Sequence, residues 1–415
     1  MDRRGFLKTA SAGAAGTLLF GIGQPPGRAA EFSAEGIPGA APPLGVLDLF
    51  GTPRERGRIH GESLREPIRA LCATWKSHLG RPEGSTPDAY LERFLADTDF
   101  EPAIARFTPD VLEEIRGIAE GSGLPYRTAL AMQLVDEEWW YSANGGAVPA
   151  APAGEKCTVI GVAKTATSPT LLAQNLDIPG FCAPYMTILR IRPRESDVEA
   201  LVPSYAGLVA LNGVNSRGVA VAVNALLQLA DSGTGLPVAC VIRGILERAT
   251  LADAERFVRD VRHASGQAYS IGGPEGVVCY ECSGSRVSRF EPSPGATRFV
   301  HTNHPLANDD LSPLGRKLSE AKTDPPGPRN SAARYRAAEC RIVSPPSAAG
   351  IAEIRAALAS HDSLTDPICR HLAGEDSGFT AVSTIFELAP GAPRLHAAPN
   401  PPCAGRYAEH RLGAG

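Results

Sequence analysis

The 415-residue sequence has little of what marks a membrane span, a nucleotide enzyme or a polyanion binder. Beyond its N-terminus it never reaches 18 uninterrupted apolar residues, so no spanning helix and no stable membrane insertion are expected. It has no Gly-rich phosphate loop, so no nucleotide cofactor is expected. It has no excess of either charge: 41 Lys+Arg against 45 Asp+Glu leave −4, a balance that argues against a nucleic-acid partner. It has no internal repeat. Lysine is scarce, six among the 41 basic residues, and that decides nothing. What is present is ordinary globular content, 43% apolar and 21% charged, enough to bury a large core without disulfide or metal staples. The 43 glycines and 36 prolines, about a fifth of the chain against a usual ~12%, call for many turns, as in a sheet-rich enzyme.

Residues 1–30 read as a targeting segment. Arg3-Arg4 ahead of Gly5-Phe6-Leu7-Lys8 resembles a twin-arginine signal, with a weakly apolar run from Thr9 to Ile22 and a small-residue cut near Ala30. Substrates of that route cross the membrane folded, so the expected location is periplasmic or extracellular. Residues 31–43 read as a Gly/Pro/Ala linker. Nine cysteines follow, an odd count. Cys279 and Cys282 form a C-x-x-C, but the flanking Val277-Val278-Cys279-Tyr280-Glu281 reads as a strand, with no helix after it to lower a thiol pKa. Buried free thiols are the expectation for most of the nine.

Leu44–Tyr141 reads as mostly helical. Val111, Leu112, Ile115 and Ile118 recur at helical spacing, and Gly121 and Gly123 end that helix. Residues 142–155, rich in Gly and Pro, form an exposed connector. From Thr158 strands dominate: 158–164, 170–176, 187–192, 219–224, 277–281, 287–291 and 380–388. Thr250 caps one intervening helix and Ser347 begins another. Strands in blocks with a few helices point to an α+β fold.

The chemistry centres on the junction of that connector with the first of these strands. If the bond between Lys156 and Cys157 were cut, the α-amine of Cys157, with an ordinary pKa near ~7.7–8, could serve as base beside its own thiol. Strands 158–164 and 170–176 can pair about Thr167, which places Asp177 opposite Cys157. A carboxylate there would orient the amine and adjust both groups.

At these residues the chain resembles the acyl-coenzyme A:6-aminopenicillanic acid acyltransferase (isopenicillin-N acyltransferase) family of N-terminal nucleophile (Ntn) hydrolases, relatives of choloylglycine hydrolase and penicillin V acylase. The likeness runs from about Gly51 to Tyr407. It is carried in order by Gly51–Glu62, Glu114–Leu124, Cys157-Thr158 with Ala173–Asp177, Asn212–Asn224, His301–His304 and Ser331–Tyr335. The resemblance implies a four-layer αββα sandwich and an inactive precursor that cuts itself before Cys157. The small chain, 44–156 with whatever precedes it in the mature protein, would stay with a large chain, 157–415, in one folded unit. It implies that the Cys157 thiolate takes an acyl group from a small-molecule amide or acyl donor and passes it, through a thioester, to water or an amine. By motif, Asn303 donates to the oxyanion, Asn224 is a second donor, Asp177 positions the α-amine, and Arg334 lies near the nucleophile. No cofactor and no metal are implied. One departure is Lys156, where the family usually has a small residue, often Gly, whose conformational freedom eases a strained cleavage site.

Plainer readings stand beside these. His301 and His304 sit three apart, on opposite faces of a strand with no acid nearby in a ligand pattern, and are expected to frame Asn303. Trp139-Trp140-Tyr141 reads as core or pocket wall. His361-Asp362 reads as a helix cap, and Arg334, in an Ala-rich helix, is by default a solvated arginine. The alternative to an exported amidase or acyltransferase is a noncatalytic extracytoplasmic binding protein on the same fold.

Overall fold

Alternation along the strands divides the apolar side chains into separate cores, and the cores define the layers. The computed structural model describes residues 43–144, 157–320, 329–345, 347, 349–372 and 378–412. The signal segment, nearly all of the linker, and Lys156 lie outside the described residues. The first part of the chain supplies strand β1 (Val46–Gly51) and helices α1 (Pro53–Ser63), α2 (Arg65–His78), α3 (Pro87–Asp97) and α4 (Glu101–Phe107). Helices α5 (Pro109–Ser122), α6 (Tyr126–Ala131) and α7 (Val135–Asn144) complete it. Then come β2 (Thr158–Val162), β3 (Thr170–Pro179), β4 (Met186–Pro193), β5 (Ala200–Tyr205), β6 (Gly213–Asn215) and β7 (Ala220–Ala225). Helices α8 (Val238–Leu246) and α9 (Leu251–Asp260) precede β8 (Gln267–Gly273), β9 (Gly276–Cys282), β10 (Val287–Phe290) and β11 (Arg298–His301). Helices α10 (Pro313–Glu320), α11 (Arg329–Ala338) and α12 (Ile351–Leu358) lead to β12 (Gly378–Leu388), β13 (Arg394–Pro399) and β14 (Ala408–Arg411).

The strands make two sheets, β1-β4-β5-β6-β7-β8-β9-β10 and β11-β2-β3-β12-β13-β14. Among the described strands only the β1–β4 pairing is parallel. Between the sheets pack Leu201, Ala220 and Ala268 of the first against Val159, Leu172 and Phe386 of the second. The opposite face of the first sheet (Val202, Val221, Ile271) buries Ile68, Ile115, Ile242 and Val258 of α2, α5, α8 and α9. The outer face of the second (Ile160, Ala173, Ile385) buries Ala338, Ile354 and Leu358 of α11 and α12. The order is therefore helix, sheet, sheet, helix, the αββα sandwich expected. Each fully buried Leu or Ile adds about 1.5–3 kcal/mol to that stacking.

Several expectations need correction. The mostly helical first segment also contributes an edge strand, β1, in register with β4 from Val46↔Ile188 to Gly51↔Pro193. The helix expected from Ser347 starts at Ile351, where the Glu353 carboxylate accepts the Gly350 N–H at 2.9 Å. The hairpin pairs Thr158 with Asn175, so its register continues to Leu176, not Asp177, opposite Cys157. The turn causes the slip: Thr165 Oγ1 accepts the N–H groups of Thr167 and Ser168, and Thr165 N–H bonds Ser168 O. That centres the fold-back between residues and not on Thr167. Other expectations match. Gly123, at φ +71°, ends α5, and the Thr250 hydroxyl accepts the Asp253 N–H to open α9.

Candidate active site

Cys157 immediately precedes β2, a central strand between β3 and β11, and only 4% of it is exposed. Its carbonyl oxygen accepts two side-chain donors, Asn224 Nδ2 of β7 at 2.9 Å and Arg334 Nη1 of α11 at 2.6 Å. The same guanidinium reaches Thr158 Oγ1 at 2.9 Å, Asn303 Oδ1 at 2.9 Å and, through Nε, Asn330 Oδ1 at 2.9 Å. Arg334 is 0% exposed, which corrects the solvated default. Burial pulls its pKa down to about 10, with Asp177 and Cys157 opposing the fall, so it remains a cation at neutral pH. One planar fork thus ties the head of β2 to the loop after β11, a geometry a lysine cannot reproduce.

Asn303 sits in that loop. Its Nδ2 donates to Ala225 O at 3.1 Å, and its backbone N–H donates to Ser331 Oγ at 2.8 Å. His304 Nδ1 lies 2.7 Å from the same hydroxyl. His301 lies 2.8 Å from Glu281 Oε1, an acid partner from β9 that the sequence reading did not find. Glu281 also accepts the N–H groups of Leu306, Ala307 and Asn308 at 2.7–2.8 Å. Burial alone would raise its pKa, but His301 and these amides hold it below the usual range. Burial, with the charges of His301 and Arg334, lowers His304 to about 4, so it is a neutral ring at pH 7. His304 thus shares the Ser331 hydroxyl with the Asn303 N–H, while His301 reaches Glu281 and not Asn303.

Asp177 is buried on β3, where Thr380 Oγ1 donates to it at 2.7 Å and Arg370 Nε lies 3.8 Å away. Strand alternation points Gln174, Leu176 and Ile178 into a cleft that Cys157 also lines, and it sends Asp177 to the other face. The structure therefore joins Cys157, Asn224, Asn303 and Arg334 in one hydrogen-bonded group. Asp177 stands behind that group, against Thr380 and Arg370.

The cleft is narrow and partly open, with a cavity volume of about 50 Å³. Leu176, Ile178, Leu208, Val223, Val238 and Ile242 give it apolar walls, and Gln133, Asp136, Gln174 and Gln267 its polar groups. Gln267 Nε2 donates to Asp136 Oδ2 at 2.7 Å, while Gln267 Oε1 has no partner among the described residues. Burial pushes the Asp136 and Glu137 carboxyls up, and the Asp136 charge pushes Glu137 further. Sequence reasoning missed Asp136. Its signal was three consecutive acids, Asp136-Glu137-Glu138, inside an otherwise apolar helical stretch. Of the neighbouring aromatics, Trp140 is core, donating to Leu229 O at 3.1 Å, and Tyr141 donates to Asp97 at 2.6 Å. Cys279 and Cys282 lie buried in different cores, and burial pushes both thiols up.

Comparison with known proteins gives a partial likeness. The model of the acyl-coenzyme A:6-aminopenicillanic acid acyl-transferase family matches residues 166–322, beginning nine residues after Cys157. The chain is 28% identical over 279 residues, 64% of its length and 71% of the relative's, to the 40 kDa form of acyl-coenzyme A:6-aminopenicillanic-acid-acyltransferase from Emericella nidulans. It is 27% identical over 109 residues, 23% of its length and 25% of the relative's, to the protein dcd1A of Dictyostelium discoideum. Among solved structures, a mutant conjugated bile acid hydrolase from Clostridium perfringens matches at 12% identity and TM-score 0.36, over 62% of this chain and 97% of that one. Penicillin V acylase from Agrobacterium tumefaciens matches at 13% and 0.35, over 59% and 84%. These structural likenesses are distant, and the architecture rests on the layers described above. Over residues 166–322 the chain is similar to the acyl-coenzyme A:6-aminopenicillanic acid acyl-transferase family.

Proposed function

We propose that the chain is an exported, self-processing cysteine amidohydrolase in which Cys157 is the nucleophile. The observation that carries this reading is the position of Cys157, at the head of a central strand beside an apolar cleft, with its carbonyl held by Asn224 and Arg334. In processing, the thiol attacks the Lys156 carbonyl and the peptide bond becomes a thioester. Water then hydrolyses that thioester, leaving a carboxylate on Lys156 and a free α-amine on Cys157. In turnover the amine accepts the thiol proton, and the thiolate attacks the acyl carbonyl of an amide. Asn303 donates to the developing oxyanion, with Asn224 as the second donor. The amine leaves with the proton, and water releases the acyl group from the thioester. Asp177, on the face of β3 turned from the cleft, orients the α-amine, and the Arg334 cation favours the thiolate. The apolar walls suit an apolar acyl group. Hydrolysis of an amide is favoured over transfer from acyl-coenzyme A, a donor that is scarce outside the cytoplasm.

Intact mass of the full chain beside Cys157→Ala tests the proposal. Two chains, the larger beginning at Cys157, with the variant uncut, are expected. A single uncut chain in both, with Cys157 unlabelled by an electrophilic acyl probe after limited proteolysis, would sink it in favour of a binding protein. Retention of an Arg3→Lys, Arg4→Lys double variant in the cytoplasm tests the export route.

A further inference from the structure

Away from the cleft, four side chains with metal-binding atoms converge: His361 just after α12, Cys369 and His371 in the segment leading to β12, and Cys403 in the turn between β13 and β14. His361 Nε2 lies 3.0 Å from His371 Nε2, and Cys403 Sγ lies 3.3 Å from His371 Nε2. All four ligand atoms fall within 4.8 Å of one another. Bond lengths of about 2.0–2.1 Å to nitrogen and about 2.3 Å to sulfur put tetrahedral ligand atoms about 3.3–3.8 Å apart, and the observed cluster has that scale. We propose that His361, Cys369, His371 and Cys403 form a structural zinc site.

The donor set selects the ion. Two thiolates and two imidazoles with no oxygen donor suit Zn²⁺ over Mg²⁺, Ca²⁺ or Mn²⁺, and four protein ligands leave no open position for chemistry. Two thiol protons pass to solvent on binding, and the Zn(Cys)₂(His)₂ unit is electrically neutral. A Cys369–Cys403 disulfide would use the sulfurs alone and leave unexplained why two imidazoles turn the same ring nitrogen toward each other.

The frame holding these ligands is itself well tied. Cys369 is buried, and its N–H donates to Ser360 O at 3.1 Å. Asn175 of β3 donates to Leu358 O and Ile368 O at 2.8 and 3.1 Å, on either side of His361. Asn400, at φ +61°, opens the turn bearing Cys403, and its N–H donates to Ala381 O at 2.9 Å. The site has a consequence for the catalytic group, because Arg370 lies between two ligands. Its N–H donates to Thr380 Oγ1 at 3.0 Å, and its Nε stands 3.8 Å from the Asp177 carboxylate to which Thr380 also donates. The metal therefore fixes the segment that braces Asp177 from behind. The sequence alone implies no metal, and in it His361-Asp362 reads as a helix cap. Asp362 instead pairs with Arg341 at 2.5 and 2.7 Å, which turns His361 free to face His371. The ligands span positions 361 to 403 with one short spacing, Cys369-x-His371, too weak a signal alone, and the pairing of β12, β13 and β14 brings Cys403 to the others.

The test is metal analysis of the full chain, purified without a histidine tag from zinc-supplemented cells, followed by chelation and titration with Co²⁺. About one zinc per chain is expected, and the cobalt form should show tetrahedral visible bands with a thiolate-to-cobalt charge-transfer band. Cys403→Ala and His361→Ala, both at exposed positions, should each lose the charge-transfer band or the tetrahedral intensity with an unchanged circular dichroism spectrum. Cys340→Ala, at the other exposed cysteine, should keep both. Absence of zinc with no cobalt spectrum in the reduced chain would overturn the site, as would a native mass two hydrogens short with Cys369 and Cys403 joined. Full cobalt bands in Cys403→Ala would do the same.

Discussion

Arg334 shows at the scale of one residue what the sequence could and could not say. Its Ala-rich helix is legible from composition, but its burial is not, because its partners Cys157, Thr158 and Asn303 lie far away in the chain. Family resemblance named the residue, and only the fold shows four acceptors around one fork. Arg334→Lys supplies a charge but cannot bond all four at once. It should slow turnover, and Asn303→Ala should lower kcat by about 10²–10³ with little change in KM, measured on a chromogenic amide that the processed enzyme turns over. Equal loss in Asn303→Ala and in a distant surface variant would remove Asn303 from the chemistry. A second residue-scale consequence concerns Glu138. Burial, only partly relieved by the Tyr90 hydroxyl donating at 2.5 Å, pushes its carboxyl from 4.5 up to about 7. The folded protein then keeps a proton that the unfolded chain releases above pH 4.5. Stability is therefore flat below that value and declines as the pH climbs through the window to about 7. The loss is on the order of 3 kcal/mol. Thermal melts of Glu138→Gln should lack that decline, and parallel pH curves for both proteins would contradict it.

Among the elements, those with strong periodicity were legible and those shaped by neighbours were not. Strands β3, β4, β9 and β12 stood out as apolar runs. Strand β5 did not, since Pro203 interrupts Ala200–Tyr205. The structure tolerates that proline because β5 pairs with β6 only at Ala200 and Leu201, before the proline is reached. Strand β1 was hidden inside a segment whose remaining elements are helices. The first two motifs of the family resemblance also acquire a physical meaning here: they are the two sides of one helix contact. A Cβ on Gly57 of α1 would stand 1.9 Å from Glu114 O of α5, and one on Gly117 would stand 2.3 Å from Arg54 O. The close approach puts Glu114 between Arg56 at 3.3 Å and Arg243 of α8 at 2.6 Å, all three buried. Gly57→Ala should destabilise by about 3 kcal/mol. Gly276→Ala, where nothing lies within 4 Å, should stay within about 0.5 kcal/mol of the parent in a urea melt. An innocuous Gly57→Ala would mean that α1 and α5 can separate at little cost.

On the scale of the whole molecule, residues before and after the proposed cut are woven together. The layer order was implied by family resemblance and not by any pattern of residues, because strand alternation tells which faces are apolar but not what covers them. The segment up to Asn144 gives the first sheet its edge strand β1, and gives its outer core α2 and α5. It also bonds across the boundary, with Trp140 to Leu229 O, Glu114 to Arg243, and Val238 N–H to Glu137 at 3.0 Å. A processed protein should elute as one species in native gel filtration and part into two chains only in denaturant; separation in native buffer would contradict the interlocking. The edge position of β1 carries a last consequence, for the direction in which time runs for this fold. An intact chain delivers β1 to β4 as a tethered strand, at a rate that dilution does not change. Once the tether is gone, the same pairing is an encounter between two molecules, and the large chain alone presents a bare strand edge and an uncovered apolar face. Refolding of the cut form should then slow with dilution and lose material to aggregation, so that the proposed cut would leave a protein which, once unfolded, is not readily remade.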